Sequence, residues 1–164
     1  MTDARPEASQ MPKVIFRDMT AKAAQELGTA FAEIEPWARY AYTAPALTAY
    51  LGTHEADAPR VEIVVDGDLA GAICVRRNWL RGPYLQFLGI LPAFQHRGTG
   101  SLALDWFEGQ ARAAQAQNLW VAASDFNARA LAFYTQRGFS RVARLEDLIV
   151  EDSAEILLRK RLNA

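Results

Sequence analysis

The sequence predicts an α/β (α+β) fold with a mixed, mostly antiparallel central sheet and helices on both faces of that sheet. Two patterns support this prediction. An Asp66-Gly67 pair lies between two runs rich in β-branched residues, which is a strong signal for a hairpin of antiparallel strands. The second half of the chain alternates helical and strand patterns, which indicates a β-α-β crossover with helices packed against the sheet.

The first half of the chain is predicted to contain one strand, two helices and a three-stranded meander. Residues 20–34 have apolar side chains at every third or fourth position, which is typical of a half-buried helix, and Pro36 ends it. A shorter helix begins at Pro45 and ends at Gly52. The predicted strands are 13–17, 61–65, 69–76 and, after Pro83, 84–91.

The second half is predicted to contain two helices and three strands. Residues 99–117 form a long helix rich in Ala, Leu and Gln, and residues 119–122 form a buried strand. Another helix covers 127–137 and ends at Gly138, since glycine readily adopts the left-handed conformation that closes a helix. The last predicted strands are 139–145 and 154–161.

Length and composition limit the organisation of the chain and its partners. The chain has 164 residues, of which 51% are apolar and 23% charged, and this is enough for one core of ordinary size. We expect a flexible tail over 1–12 and a single domain over 13–164. The net charge of −1 argues against nucleic acid as the main partner.

Features that the sequence lacks limit the expected location of the protein and the kinds of site that it can form. No apolar run approaches the ~18 residues that span a bilayer, so no membrane contact is expected. The polar N-terminus has no apolar core of a secretory signal, which favours a cytoplasmic location. With one cysteine, Cys74, and two histidines, the sequence predicts neither a disulfide framework nor a metal site.

The most informative segment is the loop Gln95-His96-Arg97-Gly98-Thr99-Gly100, which follows a strand and begins the long helix. Its two glycines let a ligand approach the backbone closely, and successive N–H groups at a helix start form a seat for phosphate. Arg97 adds a positive charge and His96 adds a donor. The loop therefore suits a diphosphate, and the alternative is a glycine-rich turn that only begins a helix.

A dinucleotide site is a competing interpretation of the same loop. Gly98, Gly100 and Ala103 match the pattern G-x-G-x-x-A, and Asp125 is near the position of the ribose-binding acid. The spacing disfavours NAD, because the first glycine should directly follow the strand and residues 92–97 intervene here. The lysine-containing phosphate loop of ATPases is absent.

A second motif lies on the helix at 127–137. Asn127, Ala130 and Tyr134 share one face of this helix, and Tyr134 is either a core aromatic or a proton donor. The loop Q-H-R-G-T-G and the helix N-x-x-A-x-x-F-Y-x-x-x-G-F are separated by one helix and one strand. Together, over residues 83–140, they resemble the GNAT superfamily of N-acetyltransferases.

The resemblance implies acetyl-CoA as co-substrate and direct transfer from its thioester to an amine. The loop would hold the pyrophosphate through backbone amides, and the strand at 87–91 would pair with the pantetheine arm. Tyr134 would be the catalytic acid that protonates the departing thiolate. A backbone N–H of β-strand residues would stabilise the developing oxyanion. The cofactor-binding residues implied are Leu88, Ile90, Gln95, His96, Arg97, Gly98, Thr99, Gly100, Asn127, Ala130 and Tyr134.

One departure from the family pattern leaves the general base open. Gln86 stands where many family members have glutamate, and an amide cannot take a proton from the attacking amine. The remaining sources are a water relay, Asp125, Glu33 or Glu35. An acceptor whose amine has a low pKa would need little help from a base.

The acceptor is predicted to be the primary amine of a small molecule or of an amino-acid-like compound. An aromatic cluster is formed by Trp37, Tyr40 and Tyr42. In this family the corresponding region often lines the acceptor pocket, and the alternative is that these rings only pack in the core. The candidate pocket residues are Trp37, Tyr40, Gln86 and Asp125. Alternative functions are a protein N-terminal or lysine acetyltransferase and a non-catalytic acyl-CoA-binding module. An exposed C-terminal strand could also pair two copies of the chain into a homodimer.

Overall fold

Over the described part of the chain, the strands form one sheet of seven, and four α-helices flank it. The computed structural model describes residues 10–163, so most of the predicted tail lies outside the described residues. Within 10–163, no helix is long and apolar enough to cross a membrane. The elements are β1 (Val14–Asp18), α1 (Ala21–Phe31), α2 (Ala44–Leu51), β2 (Arg60–Val65), β3 (Asp68–Arg76), β4 (Tyr84–Ile90), a 3₁₀ turn (Pro92–Phe94), α3 (Thr99–Ala113), β5 (Asn118–Ser124), α4 (Ala128–Gln136), β6 (Ser140–Glu146) and β7 (Ala154–Arg161).

The strand order is β1-β2-β3-β4-β5-β7-β6, and every neighbouring pair is antiparallel except β4 and β5. The predicted fold class, a mixed and mostly antiparallel sheet, is therefore confirmed. The expectation of an exposed C-terminal strand is wrong, because β7 is paired on both edges by β5 and β6. The edge strands of the sheet are β1 and β6.

Two of the predicted helices are too long. α1 ends at Phe31, and Ile34 N–H then bonds three residues back, to Phe31 O. The helix cannot continue because Pro36 has no N–H and its predecessor disfavours helical backbone. α3 also ends early, at Ala113, because Gln115 adopts a left-handed conformation with φ of 56°.

Different helices cover the two faces of the sheet. α1 and α2 pack on one face through Leu27, Phe31 and Leu51, which are all 1% exposed or less. α3 and α4 pack on the other face around Phe107 and Leu131. Burial of a Leu or Phe side chain stabilises the folded state by about 1.5–3 kcal/mol, so both helix layers hold the sheet firmly.

The parallel strands β4 and β5 pair at only two positions, Tyr84 with Trp120 and Leu85 with Val121. Beyond these pairs the strands diverge. The register between β3 and β4 also shifts at a β-bulge, which leaves Gln86 without a partner in β3. A bulge bends its strand and increases the local twist. A crevice therefore opens between β4 and β5 in the middle of the sheet.

Candidate active site

The edge of β4 at the crevice carries backbone groups that β5 does not pair. Leu91 N–H donates to Ala70 O on the β3 side. Because N–H directions alternate along a strand, the N–H groups of Leu88 and Ile90 point to the opposite side, where β5 has moved away. Gln95 Nε2 donates to Ile90 O at 2.9 Å, across this same edge. An extended ligand can pair here as an added strand would.

The glycine-rich loop before α3 has the geometry of an anion site. His96 and Gly98 have positive φ values of 60° and 80°. Gly98 is the residue that caps α3, and it has no side chain to accept from the first N–H groups of the helix. Those N–H groups and the positive end of the helix remain for an external anion. The loop therefore fits a pyrophosphate.

A cavity of about 550 Å³ joins this loop to the crevice and to the start of α4. Arg97 is exposed and does not line the cavity. Asn127 Oδ1 accepts from Ala130 N–H at 3.1 Å, so the Nδ2 group of this side chain is left for a ligand. The predicted cofactor residues that do line the cavity are Leu88, Ile90, Gln95, His96, Gly98, Thr99, Gly100, Asn127, Ala130 and Tyr134.

Arg129 also lines this cavity, and sequence analysis missed it. Its Nη2 lies 2.6 Å from His96 Nε2. This contact holds the guanidinium of Arg129 beside the glycine-rich loop. The signal in the sequence was its position in the first turn of α4, two residues after Asn127. Both Arg129 and Ala130 of that turn line the cavity together with Asn127. Arg129 thus places a positive charge at the cavity, which Arg97 does not line.

A second cavity, of about 380 Å³, lies next to the first. The predicted pocket residues Trp37, Tyr40 and Gln86 line it. Asp125 does not, because its carboxylate forms an ion pair with Arg144 at 2.9 Å. The two cavities share six residues and therefore meet. These are Pro36, Trp37, Leu88, Asn127, Ala130 and Tyr134.

The other carboxylates predicted as possible bases also lie outside the second cavity. Glu33 is exposed and lines neither cavity. Glu35 lines only the first cavity, and its exposed side chain is 3.4 Å from the guanidinium of Arg39. Neither carboxylate is therefore placed next to an acceptor bound in the second cavity.

Among residues 10–163, Glu155 is the only one with a carboxylate that lines the second cavity, and sequence analysis missed it. The residue is 7% exposed and lies in β7 opposite Ser124. Tyr40 Oη donates to Glu155 Oε1 at 2.6 Å. Burial, followed by this hydrogen bond, raises the pKa of Tyr40 and keeps the phenol protonated as a donor. The signal was a glutamate within the otherwise apolar run 154–158 of β7, which is rare unless the carboxylate has a partner.

Gln86 is held from both ends of its amide. Its Nε2 donates to Tyr50 Oη at 2.6 Å, and its Oε1 accepts from Arg76 Nε at 2.8 Å. Glu55 joins Arg76 to Arg60, and the Arg60 guanidinium lies over the Tyr50 ring. These five side chains form a closed ring of contacts. Gln86 is therefore a fixed wall of the cavity, and its amide has no group that takes a proton.

Tyr134 lines both cavities at the point where they meet. Its ring packs edge-on against Phe133 and Phe139, which fixes its direction. Burial, and to a smaller degree Tyr84, raises the pKa of Tyr134 above its ordinary value. The hydroxyl is consequently protonated at neutral pH. It can donate to a group that becomes negative at the junction of the cavities.

The sequence of residues 21–139 matches the profile of the Acetyltransferase (GNAT) family. The chain belongs to this family of acetyltransferases. Its co-substrate is accordingly acetyl-CoA, and the family match gives no support to the competing NAD interpretation of the glycine-rich loop. The predicted family and enzyme class are confirmed.

Solved structures of GNAT proteins share the fold. A GNAT-family protein from Desulfovibrio desulfuricans has 22% identity and a TM-score of 0.71 over 91% of this chain and 99% of its own. The ribosomal-protein-S18-alanine N-acetyltransferase of Escherichia coli has 15% identity and a TM-score of 0.72 over 93% and 96%. A Bacillus anthracis protein named as a streptothricin acetyltransferase, solved with acetyl coenzyme A, has 14% identity and a TM-score of 0.60 over 67% and 65%. At these identities the likeness shows the fold alone.

Proposed function

We propose that this GNAT acetyltransferase transfers an acetyl group directly from acetyl-CoA to the primary amine of a small molecule. The observation that carries the proposal is the meeting of two cavities at Leu88 and Tyr134. One cavity has an anion-binding loop at its far end, and the other has a buried carboxylate. A thioester and an amine that enter from opposite sides would meet beside Tyr134.

The first cavity would hold acetyl-CoA, which supplies the activated acyl group. Backbone N–H groups of residues 95–100 and the N-terminus of α3 would bind its pyrophosphate, with Arg129 and His96 adding donors. The N–H groups of Leu88 and Ile90 would pair with the extended pantetheine arm. One of them would also stabilise negative charge as it develops on the carbonyl oxygen.

The second cavity would hold the amine and accept its proton. Glu155 is within the cavity, and a carboxylate can take the N–H proton that the attacking nitrogen must lose. The C–N bond then forms and the C–S bond breaks. Tyr134 gives its proton to the departing sulfur as the general acid, and solvent restores that proton. Glu155 lines the second cavity alone and Tyr134 lines both cavities where they meet, which would separate the roles of base and acid.

Thermal unfolding with acetyl-CoA, CoA and NADH tests the first cavity. A ligand at ~100 times its Kd stabilises the folded state by about 2.7 kcal/mol. For a chain of this length that corresponds to a rise in Tm of roughly 5–10 °C. We expect this rise with acetyl-CoA and with CoA. A rise with neither would contradict the proposed site.

Release of free CoA thiol, together with mass detection of the acetylated product, tests the reaction. The assay uses a panel of small primary amines. A peptide with a free N-terminus is assayed beside them and represents a protein acceptor. We expect product from small amines at a higher rate than from the peptide. Stronger activity on the peptide would identify a protein acetyltransferase instead. Binding of acetyl-CoA without product from any amine would favour a non-catalytic acyl-CoA-binding module.

A further inference from the structure

The second cavity contains a buried carboxylate that has no cationic partner in the part of the chain that the structure describes. Two glutamates are buried among residues 10–163, namely Glu62 and Glu155. Glu62 is neutralised by Arg17, whose Nε lies 2.7 Å from its carboxylate. Glu155 takes part in none of the ion pairs among the described residues. Its nearest donor is the neutral phenol of Tyr40.

A buried charge without a partner is costly, so a chain normally pairs it. Here the carboxylate borders a cavity that opens onto Tyr134, and an external cation can reach it. Aromatic rings surround the same space, and their faces also attract an ammonium ion. Those rings belong to Trp37, Tyr40, Tyr42, Tyr50, Tyr84, Phe87 and Tyr134.

The lining of this cavity also disfavours an acceptor that carries an anionic group. None of the described residues that line it is Lys, Arg or His. The guanidinium of Arg76 stands behind Gln86 and is bound to Gln86 and Glu55. An acceptor with a carboxylate or phosphate would place a second negative charge close to Glu155 with no cation to balance it.

We infer that the acceptor is an amine with an aromatic or apolar body and no anionic group, and that its ammonium ion pairs with Glu155. This inference rests on the proposed function and narrows its substrate class. It predicts that the enzyme prefers an amine to the amino acid that has the same side chain and, in addition, a carboxylate. The volume of about 380 Å³ suits a compound of one ring and a short amine arm.

Matched acceptors test the inference on the unmodified enzyme. Phenylalanine, phenylalaninamide and 2-phenylethylamine share one ring and one amine, and only phenylalanine has a carboxylate. We expect kcat/KM for the two compounds without a carboxylate to exceed that for phenylalanine by at least ~100-fold, because like charges in a desolvated site repel strongly. Equal values would overturn the inference while leaving acetyl transfer established. No product from any of the three, despite a rise in Tm with acetyl-CoA, would overturn both this inference and the proposed reaction.

The variant Glu155→Gln tests the role of the charge itself. The substitution keeps the shape of the side chain and removes the repulsion of a carboxylate. We expect lower kcat/KM for 2-phenylethylamine and a ratio to phenylalanine that falls at least ~10-fold. Glu146→Gln, on the exposed neighbouring strand, is the control and should keep the ratio of the unmodified enzyme. A Glu155→Gln enzyme with lower activity but an unchanged ratio would overturn the assignment, because a structural role alone would give that result.

Discussion

At the scale of single residues, the role of Tyr134 can be separated from cofactor binding. Burial raises the pKa of this phenol, so it is protonated at neutral pH. Tyr134→Phe removes one oxygen and keeps the ring packed between Phe133 and Phe139. We expect kcat to fall by about 100-fold, which is the usual effect of losing a general acid. Stopped-flow or thiol-release kinetics measure this change.

Affinity and pH dependence provide the controls for Tyr134→Phe. The Kd for acetyl-CoA, measured by calorimetry, should change less than about twofold, because binding depends on the loop and the β4 edge. The pH profiles of kcat should have the same shape near pH 10 in the unmodified enzyme and in the variant. The raised pKa keeps the proton on the phenol of Tyr134 beyond that pH, so its loss does not lower kcat there. Unchanged kcat in the variant would remove Tyr134 from the mechanism.

Sequence analysis found the residues whose role is encoded locally and missed those brought in by pairing of distant strands. The glycine-rich loop and the Asn127–Tyr134 face are each continuous in sequence, and both line the first cavity. Glu155 reaches the second cavity only because β7 inserts between β5 and β6. Asp125 was expected there, but its ion pair with Arg144 on β6 takes it away. Neither event has a signal in the spacing of neighbouring residues.

At the scale of secondary structure elements, Phe31 at the end of α1 and Trp37 after it pack closely against β4 beside the crevice. Gly89 makes that approach possible, because a Cβ at this position would lie 2.6 Å from Phe31 Cζ and 3.0 Å from Trp37. The order of helices and strands along the chain was predictable from turns and periodicity, whereas the bulge at Gln86 and the divergence of β4 from β5 were not. Both depend on how β4 pairs with strands on either side.

Gly89→Ala therefore should push Phe31 and Trp37 away from β4 and narrow the crevice. We expect a loss of about 1–3 kcal/mol of stability, as overpacking usually costs, together with weaker binding of acetyl-CoA. Gly109→Ala is the matched control, because it lies in α3 with no atom within 4 Å of the new Cβ. That control should gain about 0.5–1 kcal/mol. Urea unfolding and calorimetry measure both, and a Gly89→Ala protein as stable as the original would contradict the packing argument.

At the scale of the whole molecule, the sheet consists of two halves that join weakly at its centre. β1–β4 carry α1 and α2, whereas β5–β7 carry α4, and β4 meets β5 through only two residue pairs. Every other neighbouring pair of strands is aligned over at least five positions. Opening of the structure should therefore occur first at the central junction, where few contacts oppose it. A ligand in the crevice would pair with the free edge of β4 and take over part of the missing strand pairing.

Hydrogen exchange measured residue by residue tests this view of the molecule. Without ligand, the amides of Leu88 and Ile90 should exchange much faster than that of Leu91, which donates to Ala70 O. With saturating CoA, exchange at Leu88 and Ile90 should slow by at least ~10-fold, because the bound state must open before these amides reach water. Amides in β2 should change far less, since β2 is already paired on both sides. Strong protection of Leu88 and Ile90 without ligand would mean that the crevice is closed in solution, and that the cofactor must open the sheet rather than fill it.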